Sequence, residues 1–138
     1  MFSAPRKVTM CGIYCCYGKN NAAQKAFNGL KKLEYRGYDS WGISYASKCA
    51  PTLTTVKQVG AISHAKLSFS KNADAAIAHT RWATHGKVTK ANAHPQVSAD
   101  KKFSIVHNGI VENHQDLVTN IFPRNNLFLK RIPKSFLN

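Results

Sequence analysis

In Met10-Cys11-Gly12-Ile13-Tyr14-Cys15-Cys16-Tyr17, Gly12 to Tyr17 is a short apolar run after a turn-prone start and reads as a buried strand. Cys15 and Cys16 within it read as small buried hydrophobes. Working outward, Asn21 is placed to cap a helix from Ala22 to about Glu34, with Ala23, Ala26, Phe27, Leu30 and Leu33 on one face. Gly37 ends it. Trp41 to Ala46 and Thr52 to Val59 are expected as strands, the second with period-two alternation. A short helix is expected around Ile62 to Phe69, and Ala75 to His79 is another buried strand. A polar stretch from Thr80 to Pro95 follows, long enough for a small domain to be a functional candidate. Lys102 to His107 reads as a strand, and Ile110 to about Ile121 as a helix stopped by Pro123. Strands with few helices between them predict an α+β fold built on antiparallel sheets.

The chain has 138 residues, enough for one small domain. No apolar run approaches the roughly 20 residues that span a bilayer, so no membrane partner is expected. Met1 to Met10 carry Arg6 and Lys7 but no apolar core, which excludes a secretory signal and leaves the cytoplasm as the expected location. Cys11, Cys15, Cys16 and Cys49 do not form a disulfide framework in such a chain, and no second cysteine or histidine pair completes a metal site. The formal charge is +14, from 20 basic and 6 acidic residues. Much of the surplus sits at the two ends: after Asp116 come Arg124, Lys130, Arg131 and Lys134 without an acid. The remaining lysines are scattered singly or in pairs, as on a solvated face, so a nucleic-acid partner is not expected.

Three strings carry chemistry. In Met10-Cys11-Gly12, a start at Met10 with removal of that methionine gives Cys11 a thiol and a free α-amine on one residue. An α-amine titrates at about 7.7–8.0 and a thiol at about 8.5, so the amine can take the thiol proton near neutral pH. Taken alone, Met-Cys-Gly is a weak signal, and a lone buried cysteine is the commoner reading. In His79-Thr80-Arg81-Trp82-Ala83-Thr84-His85-Gly86, a loop arginine beside hydroxyl and imidazole groups can clamp a carboxylate through two hydrogen bonds. Alone, this is a surface arginine beside a half-buried tryptophan. In Val106-His107-Asn108-Gly109-Ile110, a side-chain amide and a glycine N–H at a strand end can receive an oxyanion, although Asn-Gly is commonly just a turn.

Taken together with Leu33-Glu34-Tyr35-Arg36-Gly37-Tyr38-Asp39-Ser40 and Asn92-Ala93-His94-Pro95, these strings resemble, in order and spacing, the glutaminase domain of the glutamine–fructose-6-phosphate aminotransferase family. The resemblance runs from Met10 to about Ile121. It fits better than amidophosphoribosyltransferase, whose arginine-glycine motif reads His-Arg-Gly-Gln-Glu-Ser where this chain has Tyr35-Arg36-Gly37-Tyr38-Asp39-Ser40. The resemblance implies an N-terminal-nucleophile hydrolase αββα sandwich, incomplete at its C-terminal end, and no cofactor. It implies L-glutamine as substrate, with fructose 6-phosphate used by domains absent here. Cys11 would be the nucleophile, and Asn108 with the Gly109 N–H would hold the oxyanion. Arg81 would bind the substrate carboxylate, with Thr84 and His85 completing the pocket and Trp82 gating ammonia. Arg36 and His94 would support the site.

The resemblance divides the chain into a leader or misassigned start over residues 1–10, a partial amidotransferase domain over 11–122, and an unmatched basic tail over 123–138. A family aspartate that holds the substrate α-amine lies beyond the match, and nothing after Asp116 is acidic. In another reading frame the codons for Lys130 to Leu137 can spell a string close to the family's own, which would make the tail a frameshift product. An incomplete sandwich is expected to have unpaired strand edges and an opened core. The competing reading is a catalytically dead fragment that serves as an interaction module.

Overall fold

The computed structural model describes residues 10–18, 20–69, 71–83, 87–109, 111–113 and 116. Thr84, His85, most of the helix expected from Ile110 and the basic tail lie outside the described residues. Among those described, the elements are β1 (Gly12–Tyr17), α1 (Ala22–Lys31), β2 (Ser40–Ser47), β3 (Thr54–Val59), β4 (Ala73–Arg81), β5 (Gln96–Val97) and β6 (Ser104–Ile105). Four strands form an antiparallel sheet in the order β1-β4-β2-β3, and β5 pairs antiparallel with β6 in a second sheet. The α+β class and antiparallel pairing follow the sequence pattern.

The alternation of β2 and β4 sends their side chains to two different layers. Trp41, Ile43, Ala76 and Ala78 meet Ala22, Ala23, Ala26, Phe27 and Leu30 of α1, and together they form the buried core. Burying a side chain such as Phe27, Leu30 or Ile43 contributes about 1.5–3 kcal/mol, which is what holds a ten-residue helix on the sheet. Gly42 and His79, paired across β2 and β4, face the other way, toward His94 and Pro95. A methyl group at position 42 would overlap the backbone oxygen of His94 and press on that of Val56 at 3.0 Å. Gly42→Ala is therefore expected to cost about 1–3 kcal/mol by forcing the layers apart, read as a lower urea midpoint with an unchanged slope.

Several local expectations are corrected. Asn21 makes no side-chain cap; it takes the left-handed conformation at φ 71°, which asparagine tolerates, and turns the chain into α1. The helix stops at Lys31 because the next N–H groups bond three residues back, Lys32 to Gly29 and Leu33 to Leu30, leading into a separate short turn at Glu34–Arg36. Thr52 and Leu53 leave β3, since the Leu53 N–H donates to the Lys101 carbonyl instead. The helix expected over Ile62 to Phe69 is a single turn, Ile62–His64. Beyond it the segment packs across α1: Phe69 lies 5.3 Å from Phe27, and Lys31 donates to the Ala65 carbonyl at 3.1 Å.

The strand expected over Lys102 to His107 shrinks to Ser104–Ile105, because the preceding residues fold around the Ser98 hydroxyl, which accepts from Lys102 and Phe103. β1 is not buried. It is an edge strand with β4 on one side, and Ile13, Tyr14, Cys15 and Tyr17 are exposed while Cys16 is half-buried. β3 is the other edge.

Candidate active site

The end of β1 and the end of β4 lie side by side, and this brings Cys11 to Trp82. The Trp82 N–H donates to Cys11 Sγ at 3.4 Å, and the thiol faces the Trp82 carbonyl at 3.8 Å. Gly12 pairs with Thr80, and its N–H donates to the Thr80 hydroxyl at 3.2 Å. The half-buried sulfur is thus held by the backbone of Trp82, the residue directly after β4, while Gly12 ties the start of β1 to Thr80.

The Cys11 carbonyl collects two further side chains. Arg36 donates to it from Nε at 3.3 Å, and Asn108 from Nδ2 at 3.0 Å. Asn108 comes from the segment after β6, 97 residues away in the sequence, so this contact draws the second layer onto the first. Gly109 follows at φ 126°, a conformation that favours glycine. His94 stacks on His79, ring centroids 4.9 Å apart, and His79 Nε2 lies 2.9 Å from Asn108 Oδ1.

Arg81 ends β4, half-buried, with Nη1 donating to the Lys87 carbonyl at 3.3 Å. Trp82 follows, its ring edge-on to Tyr38 at 5.0 Å. Of the candidate residues, Cys11, Arg36, Trp82 and Asn108 are in mutual contact through Cys11, while Arg81 adjoins Trp82 along the chain.

Two residues inside the quoted strings had no role assigned to them. Asp39 braces the strand end: its N–H donates to the Arg81 carbonyl at 3.1 Å, and its carboxylate accepts from the Ala83 N–H at 2.7 Å, on either side of Trp82. His79 is 1% exposed at the centre of the site. The period of β4 places it on the inner face, but only the fold reveals its partner. A cleft of about 710 Å³ lies elsewhere. It is lined by Thr54, Thr55, Lys57, Gln96, Ser98 and Lys101 among others, and by none of the candidate residues.

Burial dominates the electrostatics. It lowers His79 to about 4, with hydrogen bonds to the Asn108 side chain and the His107 backbone opposing and the Arg81 charge acting in the same direction as burial. Burial likewise lowers His94 to about 4, helped by the neighbouring His79, Lys57, Arg81 and His107. Both rings are neutral at pH 7. In the unfolded chain each takes a proton near 6.5, so between 6.5 and about 4 the unfolded state binds protons that the fold refuses. The stability from neutral burial is full above pH 6.5 and is lost as pH falls toward 4. For His79 the difference is worth on the order of 3 kcal/mol. Urea midpoints measured from pH 7 to pH 4 are expected to fall through that window, and a flat profile would contradict this.

No protein-family model matches the chain. Its sequence is 49% identical over 110 residues to the glutamine–fructose-6-phosphate aminotransferase (isomerizing) of Lactiplantibacillus plantarum, covering 78% of this chain and 18% of that protein. The same-named protein of Streptococcus agalactiae is 45% identical over 120 residues, covering 86% and 20%. That of Chlamydia trachomatis is 48% identical over 110 residues, covering 78% and 18%. The chain thus spans about a fifth of the length of these relatives. Among solved structures, the glutamine phosphoribosylpyrophosphate amidotransferase of Bacillus subtilis superposes with a TM-score of 0.65 at 27% identity, covering 86% of this chain and 26% of that one. By sequence the chain belongs with the glutamine–fructose-6-phosphate aminotransferases, and by fold with the N-terminal-nucleophile amidotransferases.

Proposed function

We propose that the chain is the glutamine-hydrolysing part of such an aminotransferase, releasing ammonia from L-glutamine with Cys11 as nucleophile. The observation that carries the reading is the convergence on Cys11. A backbone N–H reaches its sulfur at 3.4 Å, and an amide and a guanidinium hold its carbonyl at 3.0 and 3.3 Å. In the full chain ten residues precede Cys11, so its nitrogen is tied in a peptide bond. We take residues 1–10 to be removed or never translated, which frees the α-amine as base.

The amine accepts the thiol proton, and Sγ attacks the side-chain amide carbon of glutamine. Asn108 Nδ2 and the Gly109 N–H receive the negative oxygen. The intermediate collapses with loss of the nitrogen, protonated, as ammonia, leaving a thioester that water cleaves to glutamate and free thiol. In this reading Arg81 would bind the substrate carboxylate, Thr84 and His85 would complete the pocket, and Trp82 would gate ammonia. Arg36 and His94 keep the site in place. In the longer relatives the ammonia would go to fructose 6-phosphate on other domains. The four cysteines are all free, and a cytoplasmic setting is part of this proposal. No helix among the described residues is long and apolar enough to cross a membrane.

The test is stoichiometric. The chain beginning at Cys11 should form ammonia and glutamate in equal amounts from L-glutamine; no turnover, or equal turnover of L-asparagine, would overturn the reading.

A further inference from the structure

We infer that His79 is a positioning residue that aims the Asn108 amide at Cys11 through the Nε2–H form of its ring. Its catalytic meaning rests on the glutaminase reading, whereas the hydrogen-bond arrangement stands by itself.

Donor and acceptor chemistry fixes the ring and the amide together. The Cys11 carbonyl can only accept, so Asn108 must turn Nδ2 toward it, at 3.0 Å. Oδ1 is then the atom that lies 2.9 Å from His79 Nε2, and Oδ1 can only accept. His79 Nε2 must therefore carry a hydrogen. Flipping the amide by half a turn would set oxygen against oxygen at Cys11, so that contact selects the orientation and the His79 tautomer follows from it. One N–H of Nδ2 is spent on the Cys11 carbonyl, and the second is left for a negative oxygen forming above Sγ.

The support behind this donor is rigid. His79 is 1% exposed, in the middle of β4 and paired with Gly42 on β2. Its ring lies on that of His94, which the missing side chain of Gly42 allows to approach. Burial keeps both rings uncharged at neutral pH, so the donor does not change character where the enzyme would work. A side chain of similar size without a donor, such as phenylalanine, would fill the space and leave the amide free to turn.

Two measurements test the inference. In the ¹⁵N-labelled 138-residue chain at pH 7, the His79 ring should show a protonated Nε2 and an unprotonated Nδ1, and His79→Phe should shift the Asn108 side-chain amide signals. An Nδ1–H ring, or Asn108 signals unmoved by the substitution, overturns the inference. In the form beginning at Cys11, His79→Phe should slow alkylation of Cys11 by a glutamine-analogue electrophile about 10–100-fold at saturation, with the half-saturating concentration little changed. In an Asn108→Ala background the same substitution should cost nothing further. An equal loss in both backgrounds would mean a general structural role and defeats the proposal. If the unsubstituted chain is not alkylated at all, the glutaminase reading fails, and the ring's protonation pattern alone decides the inference.

Discussion

Cys11→Ser is expected to remove glutamine-dependent ammonia release from the chain that begins at Cys11, by about 10³-fold or more. The reason lies in proton affinities. A thiol titrates at about 8.5 and a terminal amine at about 7.7–8.0, so transfer between them is nearly balanced. A serine hydroxyl is far less acidic than a thiol and would not give up its proton to the same amine. The substitution is nearly isosteric, and the contacts it disturbs are those between Sγ and the Trp82 backbone at 3.4 and 3.8 Å. The fold should therefore persist, which an unchanged thermal midpoint would show. Ammonia release that survives in Cys11→Ser would move the nucleophile elsewhere.

The second large effect is expected at Asn108. Asn108→Ala should lower kcat about 10²–10³-fold, the cost of losing one oxyanion donor, equivalent to about 2.7–4 kcal/mol. KM for glutamine should stay close to its starting value, because the donor acts on charge that develops only during reaction. A separate loss of stability should accompany it. The substitution strands His79 Nε2–H, which is buried and has Asn108 Oδ1 as its partner at 2.9 Å. Leaving such a donor unmet costs about 1–3 kcal/mol. The two effects separate by experiment: steady-state kinetics reads the first and urea unfolding the second. A rise in KM with kcat intact would place Asn108 in substrate binding rather than in charge stabilisation.

The parts of the fold legible in the sequence are those set by short-range pattern. The 3.6-residue spacing of Ala23, Ala26, Phe27 and Leu30 marks the buried face of α1, and period-two alternation marks the strand that contains Thr54 to Val59. What failed depended on neighbours distant in sequence. β1 is apolar, yet Ile13, Tyr14, Cys15 and Tyr17 are exposed, because what covers the faces of a strand comes from segments distant in sequence. The segment after Ile62 has a helix-compatible composition, but Phe69 and Ala65 are claimed by contacts to α1.

The site divides in the same way. Cys11, Arg36, Arg81 and Asn108 stand in recognisable strings, so their identity was readable before their geometry. His79 and Asp39 stand in those strings too, but their work is hydrogen bonding to Asn108, Arg81 and Ala83. Such pairings cross as many as 44 residues of sequence, and no local pattern encodes them.

The central claim is that thiol and primary amine must belong to the same terminal residue. Two forms of the chain, one starting at Cys11 and one retaining residues 1–10, can be treated with a glutamine-analogue electrophile and compared by intact mass and peptide mapping. The account predicts a single adduct on Cys11 in the first form, prevented by excess L-glutamine, and none in the second. Equal labelling of both forms, or labelling at Cys15 or Cys49 that glutamine does not prevent, would contradict it.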